Sequence, residues 1–366
     1  MGNEIYQTFG HTAFRVIDSN KSDSAKDLIY NYGNYDFFNG SFFWTFVSGK
    51  LVVSLAVVRF DSFMHEYRGE GRSMEEQLFL LDDKQKEQIL AFLENNAQIE
   101  NKCYVYQIFF DNCCTRSRDV FPQVFGKDFV IGAAIPRDVN LSYRTAVNLY
   151  YRNRYWERMG INICMGHTTD TIIANKMITF LPEFLSIGMA GATLNGKKVC
   201  ADKTTILEDH INHAPGINQP FILSCLICFV TIVSLSFKRF RKLGNVMSFL
   251  ILALSVFFGV CILVHWFYSE HVYGQNNFNI LWALPTNTFI AFFKFRGKGA
   301  YGLIGMGLIM FCVLLHILKI QIMPLFETGP YLLALFCVYG NMYRNRVLSQ
   351  RAKASPSQKL RWAWLS

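Results

Sequence analysis

The sequence has few charged residues and none of the motifs that identify the commonest ligand sites. Only 17% of its 366 residues are charged, whereas 51% are hydrophobic, which is too apolar for an ordinary soluble protein of this length. It contains no zinc signature, phosphate-binding loop, dinucleotide fingerprint, internal repeat or low-complexity tract. We therefore expect neither a metal nor a cofactor.

Apolar residues are concentrated in the C-terminal part of the chain. Charges recur every few positions up to Pro220, and long apolar runs with short polar breaks follow. We predict a boundary near residues 214–220, with a soluble domain over residues 1–215, a transmembrane domain of about five helices over residues 221–340, and a basic cytoplasmic tail over residues 341–366. The predicted spans are Phe221–Phe237, Val246–Tyr268, Phe278–Phe293, Ala300–Met323 and Tyr331–Tyr339. Pro285 and Asn287 interrupt the third span, and in an alternative the short fifth span begins nearer Pro324.

Basic residues are distributed unevenly between the loops. The loop Ser269–Asn277 contains no Lys or Arg. Basic clusters follow the first and third spans and occupy the tail: Lys238, Arg239, Arg241 and Lys242; Lys294, Arg296 and Lys298; and six Lys or Arg after Gly340. Because basic loops stay in the cytoplasm, this pattern predicts a multi-pass protein of the inner membrane with its soluble domain in the periplasm. The net charge of +9 needs no nucleic acid, since lipid head groups are natural partners of these clusters.

The start of the chain is unusual for an exported domain. Such a domain is normally preceded by a signal peptide or a membrane span, yet Met1–Gln7 includes no apolar segment. We therefore expect a truncated or misassigned start. In the alternative, the first apolar run is an internal insertion signal that must translocate a long N-terminal domain.

The ten cysteines are divided equally between the two parts of the chain. Those in the soluble domain are Cys103, Cys113, Cys114, Cys164 and Cys200. An odd number leaves at least one thiol unpaired. Cys225 and Cys228 have C-x-x-C spacing, but they lie in an apolar run without a second pair, which favours packing over metal or redox chemistry.

The soluble domain has both strand and helix patterns. Thr12–Ile17, Leu28–Tyr32 and Tyr104–Phe110 are strand-like, and a polar loop joins the first two. Asp82–Asn95 has apolar residues at helical spacing. The predicted fold class of the domain is α+β, with His11 at the mouth of a small antiparallel sheet.

A candidate nucleophile lies in the segment Asp111–Asp119, directly after the third strand-like run. Asp111 or Asn112 can cap a following helix. This places Cys113 in the first helical turn, where free backbone N–H groups and the helix dipole favour a thiolate and can donate to an oxyanion. His11, held by a strand, would supply the activating imidazole. By residue type alone, such a histidine and cysteine are more often structural than catalytic, and that alternative stays open.

The order of these residues resembles a known superfamily. Phe9-Gly10-His11 on a strand and Asn112-Cys113 at a helix start resemble the circularly permuted branch of the NlpC-type, papain-like superfamily, which includes lecithin:retinol acyltransferase. More closely, the chain resembles the lipoprotein N-acyltransferases of Bacteroides-type bacteria. The residues that show this resemblance are Tyr6–Val16, Tyr30–Gly33, Gly69–Gln77 and Asp111–Asp119, followed in the membrane part by His271, Asn277, Asn279, Leu281, Trp282 and Pro285.

The resemblance implies a circularly permuted papain-like periplasmic domain followed by an α-helical transmembrane bundle. It also implies Cys113 as the nucleophile and His11 as the base. The family position after the nucleophile is commonly small, so Cys114 is a departure, which we expect to be a packed thiol. Asn31 lies on the second strand and is a candidate to fix the imidazole tautomer. The alternative is that Asn31 forms a turn with Gly33.

Further residues are candidates for substrate binding. Arg15, Arg72 and Arg116 lie within matched segments and are predicted to hold a phospholipid phosphate, with solvated or salt-bridged roles as the alternative. His271, at the outer end of the second span, is predicted to contact substrate head groups, although such residues often only mark the interface. The aromatic segment Tyr35–Phe46 is either core or a surface for acyl chains and the bilayer interface.

The resemblance implies acyl transfer in two steps. The acyl chain of a phospholipid would form a thioester with Cys113 and then pass to the α-amine of a diacylglyceryl-cysteine lipoprotein. The expected partners are a phospholipid acyl donor, a diacylated lipoprotein acceptor and the membrane. Two alternatives stay open: a membrane-tethered papain-like cysteine peptidase or amidase of the cell envelope, and a non-catalytic lipid-binding assembly factor.

Overall fold

The computed structural model describes the chain except for residues 1, 3, 5–6, 22–25, 36–41, 212–213, 294–296 and 354–366. Tyr6, part of the aromatic segment, part of the second basic cluster and the end of the tail therefore lie outside the described residues. The chain divides into two compact units. The N-terminal unit comprises Met1–Asn153, Thr171–Pro215 and Ser269–His271, and the C-terminal unit comprises Arg154–Asp170, Gly216–Tyr268 and Val272–Ser366.

All described strands belong to the N-terminal unit, whereas helices occur in both units. The strands are β1 Phe14–Ile17, β2 Asp27–Asn34, β3 Val52–Arg59, β4 Met74–Glu76, β5 Cys103–Val105, β6 Phe129–Val130, β7 Thr193–Leu194, β8 Lys197–Lys198 and β9 Thr204–Leu207. The helices are α1 Phe42–Val47, α2 Phe60–Gly69, α3 Asp83–Asn96, α4 Cys113–Phe125, α5 Tyr143–Tyr150, α6 Tyr155–Cys164, α7 Asn175–Ile178, α8 Pro182–Ala190, α9 Gln219–Ser236, α10 Arg241–Phe267, α11 Asn287–Phe292, α12 Lys298–Ile317 and α13 Leu325–Lys353. Helices α6 and α9 to α13 belong to the C-terminal unit.

The largest sheet has the strand order β1-β2-β3-β5, with every neighbouring pair antiparallel. Side chains alternate between its two faces, so Phe14, Tyr30 and Leu55 are buried on one side. Helix α4 packs on this face, and its Phe121 ring lies 6.0 Å from that of Phe14. The mixed α and β composition predicted from the sequence is confirmed.

Strand β2 contains a bulge at Gly33. Its pairing with β3 shifts register between Tyr32 and Asn34, and Gly33 has a φ of 90°. A residue with a side chain rarely adopts this backbone conformation, whereas glycine does so readily. The bulge therefore depends on glycine.

The third predicted strand is shorter than expected. β5 ends at Val105, and the backbone then turns, since Gln107 and Asp111 exchange two N–H to C=O hydrogen bonds of 2.9 Å. The apolar run Ile108–Phe110 has a strand-like composition, but it forms this turn, because Gln107 pairs with Asp111 of its own segment and not with a neighbouring strand. The turn leads the chain directly into α4 at Cys113.

Among the described residues of the C-terminal unit, three helices are long and apolar enough to cross a membrane: Gln219–Ser236, Lys238–Phe267 and Lys298–Ile317. The second of these is α10 together with a preceding 3₁₀ turn. Helix α13 begins at Leu325, close to the alternative start near Pro324, and has Glu327 in its first turn. The chain thus has a helical C-terminal region with three candidate spans.

The third predicted span, Phe278–Phe293, is not one continuous helix. It consists of a 3₁₀ turn at Phe278–Leu281 and the short helix α11. Pro285 lies between them, and proline has no N–H to continue a helical hydrogen-bond ladder. The break in the helix thus falls at the proline that interrupts this apolar run in the sequence.

Candidate active site

The structure brings His11, Asn31 and Cys113 into one cluster beside the largest sheet. His11 precedes β1, Asn31 lies on the adjacent strand β2, and Cys113 is the first residue of α4. Nε2 of His11 is hydrogen-bonded to Oδ1 of Asn31, so this nitrogen carries a proton. The imidazole also lies close enough to Cys113 for each group to shift the pKa of the other. An imidazole placed in this way can deprotonate a thiol.

The surroundings of this pair favour a thiolate. Sγ of Cys114 lies 3.9 Å from Sγ of Cys113 and donates to it, and the imidazole of His11 and the backbone N–H of Thr12 add to the effect. Together they outweigh burial and hold the pKa of Cys113 well below its usual value. Burial lowers the pKa of His11, but the charge of Cys113 and the hydrogen bonds to Cys113 and Asn31 outweigh it and raise this pKa. These shifts favour a thiolate at Cys113 and an imidazolium at His11.

Cys114 has the opposite character. It is 1% exposed, and its Sγ lies 3.3 Å from Oγ1 of Thr12. Burial, together with the hydrogen bond and charge of Cys113, raises the pKa of Cys114 well above its usual value. Cys114 therefore remains a neutral thiol that donates to its neighbour.

The side chain of Asn112 fixes the start of α4. Its Oδ1 accepts from the backbone N–H of Thr115 at 2.9 Å, and its Nδ2 donates to the carbonyls of Ile108 and Phe180 at 2.8 and 2.9 Å. The hydroxyl of Thr115 accepts from the backbone N–H of Asn112 at 2.7 Å, which completes a capping box. Cys113 is thereby held in the first helical turn, where backbone N–H groups have no helical carbonyl partners and stabilise negative charge.

Two of the predicted phosphate-binding arginines are held by carboxylates. Arg15 donates through Nε and Nη2 to both oxygens of Asp27, at 2.9 and 2.7 Å, and through Nη1 to Glu76 at 3.0 Å. Arg116 makes a two-point contact with Asp111, at 2.5 and 2.7 Å. In both arginines, the paired N–H donors that would bind a phosphate already donate to a carboxylate of the same domain.

Arg72 differs from both. It is 6% exposed, and its Nη1 donates to Glu70 at 3.0 Å. Glu70 also accepts from Nε2 of Gln7 at 3.1 Å. Nε of Arg72 is buried and has no hydrogen-bond partner among the described residues. Arg72 lies close enough to His11 for its charge to act on the imidazole, so a buried cation with an unused donor stands beside the reactive pair.

Two tyrosines at the site carry no motif and were not predicted from the sequence. The ring centre of Tyr67 lies 3.9 Å from the guanidinium of Arg72, and burial raises the pKa of Tyr67 to about 12. Tyr104 lies on β5, and its hydroxyl is buried without a hydrogen-bond partner in the described part of the chain. Both phenols are within electrostatic reach of Cys113. The only sequence signal was the position of Tyr67 just before the matched segment Gly69–Gln77.

His271 lies within the N-terminal unit, in the segment Ser269–His271. It is 1% exposed, its Nε2 donates to the carbonyl of Phe46 at 2.7 Å, and its Nδ1 lies 3.2 Å from Oε1 of Gln107. Burial lowers the pKa of His271. These contacts fasten the segment to the chain around α1, and the predicted head-group contact of His271 stays a prediction.

The aromatic helix α1 has two kinds of surface. The rings of Phe42 and Phe46 are stacked, with centres 5.8 Å apart, and pack against the core. Phe43 and Trp44 are 64% and 68% exposed. The core alternative therefore applies to Phe42 and Phe46, and contact of the exposed rings with acyl chains or the bilayer interface stays a prediction.

The matched asparagines of the membrane part have structural partners in the C-terminal unit. Nδ2 of Asn277 and Nδ2 of Asn279 both donate to the carbonyl of Ile163, at 2.8 and 3.1 Å. Oδ1 of Asn279 accepts from Nε1 of Trp282 at 3.0 Å, and Oδ1 of Asn277 accepts from Gln321 at 3.0 Å. These residues bind the 3₁₀ turn to its neighbours.

All ten cysteines are free thiols. In the described part of the chain, no group of three or more His, Cys, Asp or Glu side chains is arranged to hold a metal.

The fold and the site together define a membrane protein with a thiol–imidazole pair in its N-terminal domain. Two family models match the chain: the Lnb N-terminal periplasmic domain over residues 1–140 and the Lnb transmembrane domain over residues 212–350. The chain belongs to the Lnb-type lipoprotein N-acyltransferase family, which confirms the resemblance seen in its sequence. Its N-terminal domain is periplasmic. No curated protein and no solved structure matches the chain.

Proposed function

We propose that the protein is a lipoprotein N-acyltransferase, which moves an acyl chain from a phospholipid through a thioester on Cys113 to the α-amine of a diacylglyceryl-cysteine lipoprotein. The observation that carries the proposal is the placement of Cys113 at the start of α4 beside His11, which is hydrogen-bonded to Asn31, in a protein of this family. A thiolate of lowered pKa at a helix N-terminus is the form of cysteine that attacks acyl carbonyls.

The pair accounts for both steps of the transfer. Sγ of Cys113 attacks the ester carbonyl and forms a tetrahedral oxyanion; the C–O bond then breaks, the leaving alkoxide takes a proton from the His11 imidazolium, and a lysophospholipid departs. The lipoprotein α-amine next attacks the thioester, His11 takes a proton from it, and the thiolate leaves. Asn31 holds the imidazole in the orientation that both steps need.

The chain order of the site supports a circularly permuted papain-like fold for the periplasmic domain. His11 stands at the start of an antiparallel sheet, Asn31 lies on the next strand, and Cys113 follows later at the N-terminus of a helix packed on that sheet. We also propose that the protein is a multi-pass protein of the inner membrane, for which the candidate spans are the support.

Arg72 is the best supported of the predicted arginines for contact with the phospholipid phosphate. Arg15 and Arg116 are occupied by carboxylates, whereas Arg72 has a buried Nε with no partner in the described residues and lies beside His11. A guanidinium with an unused donor is suited to phosphate oxygens. We therefore assign the phosphate contact to Arg72.

The function is tested by mass spectrometry of one model lipoprotein from a strain that lacks its own N-acyltransferase. The strain expresses wild type, Cys113→Ala, His11→Ala or, as a matched control, Cys103→Ala, which alters an exposed cysteine of the same domain. Wild type and Cys103→Ala are expected to add one N-linked acyl chain and release lysophospholipid, whereas the other two variants leave the amine free.

An unmodified amine with wild-type protein would refute the acyl transfer. Cleavage of an envelope peptide without release of lysophospholipid would then indicate the peptidase or amidase. Equal complementation by wild type and Cys113→Ala would indicate a non-catalytic assembly factor.

A further inference from the structure

The glycine at the bulge in β2 leaves room for a Cβ-sized group beside the candidate nucleophile. A Cβ atom built on Gly33 would lie 3.8 Å from Cβ of Cys113, 3.9 Å from Cε1 of His11 and 3.6 Å from the hydroxyl oxygen of Tyr104. These are ordinary van der Waals distances, so the three groups surround the space that the missing side chain leaves. An atom placed there contacts Cβ of Cys113, Cε1 of His11 and the hydroxyl of Tyr104 at once.

The phenol of Tyr104 has an unused hydrogen bond. Tyr104 is 7% exposed, and its hydroxyl has no partner in the described part of the chain. Most buried polar groups in folded proteins are hydrogen-bonded, and an exception beside a reactive group calls for an explanation. Burial raises the pKa of Tyr104, so the phenol keeps its proton and can donate to an anion.

The surrounding residues hold the ring of Tyr104 in place. The guanidinium of Arg116 lies 4.1 Å from the ring centre, and Arg116 is itself fixed by its two-point contact with Asp111. The ring of Tyr32 meets it edge to face, with centres 6.4 Å apart. A donor whose position is fixed before the reaction stabilises a developing charge without a cost of reorganisation.

We propose that Tyr104 is a further catalytic residue, whose hydroxyl donates a hydrogen bond to the oxyanion that forms when Cys113 attacks an acyl carbonyl in the space over Gly33. The inference rests on the proposed acyl transfer through Cys113. It supplements the backbone N–H groups of the first turn of α4 with a side-chain donor. It also gives the glycine bulge a function, since a side chain at position 33 would occupy the place of the carbonyl.

The test compares the full-length wild-type protein in detergent with Tyr104→Phe, which removes only the hydroxyl, and with Tyr30→Phe, which alters another buried tyrosine of the same sheet. Acylation of Cys113 by p-nitrophenyl butyrate passes through an oxyanion and is followed by nitrophenolate release and intact mass. Alkylation of Cys113 by iodoacetamide forms no oxyanion and reports only on the thiolate.

Tyr104→Phe is expected to slow acylation by about 100-fold, the usual effect of removing one oxyanion donor, with alkylation close to wild type across pH. Tyr30→Phe is expected to match wild type in both reactions. Acylation of Tyr104→Phe at the wild-type rate, or an equal loss of acylation and alkylation, would overturn the inference. The wild-type protein could instead be acylated by the ester but release no lysophospholipid when given phospholipid and lipopeptide. That result would refute the proposed function, but the role of Tyr104 as an oxyanion donor would still stand. Wild type that is alkylated but never acylated would overturn both.

Discussion

The two units differ in whether all of their buried polar side chains have hydrogen-bond partners in the described residues. In the C-terminal unit, Asn287 donates to the hydroxyl of Ser255 at 2.9 Å and accepts from that of Tyr339 at 2.9 Å. In the N-terminal unit, Tyr104 and Arg72 each bury a donor without a partner in the described residues. Across the described chain, every buried side-chain nitrogen or oxygen without a partner lies in the N-terminal unit.

This contrast separates groups that stabilise the fold from groups that await a ligand. An unpaired buried donor costs about 1–3 kcal/mol, so the domain would be more stable if Tyr104 and Arg72 were satisfied. Ser117 and Tyr150 also have unpaired buried atoms. For Tyr104 and Arg72, the unpaired state suggests function because Cys113 and His11 are close by.

The largest effect is expected from His11→Ala. Loss of the imidazole removes the base and one of the groups that lower the pKa of Cys113, so acyl transfer should fall by about 1000-fold or more. In wild type, alkylation of Cys113 by iodoacetamide should stay fast well below pH 7. In the variant, the alkylation rate should fall as the pH drops through the higher pKa of the Cys113 thiol. A pH profile like that of wild type would show that His11 does not stabilise the thiolate.

Arg72→Gln tests the other unpaired donor. Lysophospholipid release should fall by about 10- to 100-fold, the value of a charge-assisted hydrogen bond, whereas acylation by p-nitrophenyl butyrate should stay near wild type because this ester has no phosphate. Arg15→Gln is the matched control and should retain phospholipid activity. Equal losses with both acyl donors would show that Arg72 supports the pair itself and not the phosphate.

Asn287→Ala tests a buried polar side chain of the C-terminal unit whose hydrogen bonds are satisfied. It leaves Ser255 and Tyr339 without their shared partner, so the thermal midpoint in detergent should drop by an amount equivalent to about 1 kcal/mol or more. Activity per folded molecule should be unchanged. Tyr104→Phe should show the opposite result, with lower activity and an unchanged thermal midpoint. If Asn287→Ala lowered activity but not the midpoint, the difference between the two units would not separate stability from function.

Cys114→Ala should have the smallest effect. The variant loses one donor to Cys113, so the pKa of Cys113 should rise and acyl transfer near pH 7 should fall by about fivefold, the effect of one ordinary hydrogen bond. Cys114→Ser keeps a donor at the same position and should behave like wild type. An unchanged alkylation midpoint in Cys114→Ala would show that the imidazole alone maintains the thiolate.

The residues that the structure brings into the cluster are those with a local sequence signal. Cys113 follows a capping asparagine at a helix start, and His11 and Asn31 lie on or beside adjacent strands of alternating pattern. Strand β5 was predicted too long because the apolar composition of Ile108–Phe110 continues into a turn. The third span was predicted from composition, although Pro285 interrupts the helical hydrogen bonds there.

Other features depend on residues that are distant in sequence. Arg15 and Arg72 look alike in the sequence, and only the folded chain shows that Asp27 and Glu76 occupy the first while Nε of the second is unused. The site position of Tyr104 likewise depends on a bulge at Gly33, some 70 residues earlier in the printed sequence. A linear pattern cannot report an unpaired atom, because pairing is a property of tertiary contacts.

The segment Ser269–His271 has a consequence for how the protein is made. It belongs to the N-terminal unit, where the N–H of Glu270 donates to the carbonyl of Ser48 at 2.9 Å and His271 donates to that of Phe46. The ribosome must therefore translate α9 and α10 before the periplasmic domain receives its last piece. Maturation of the domain is thereby tied to membrane insertion during biosynthesis, and a chain that stops at Pro215 would lack a buried part of its own fold.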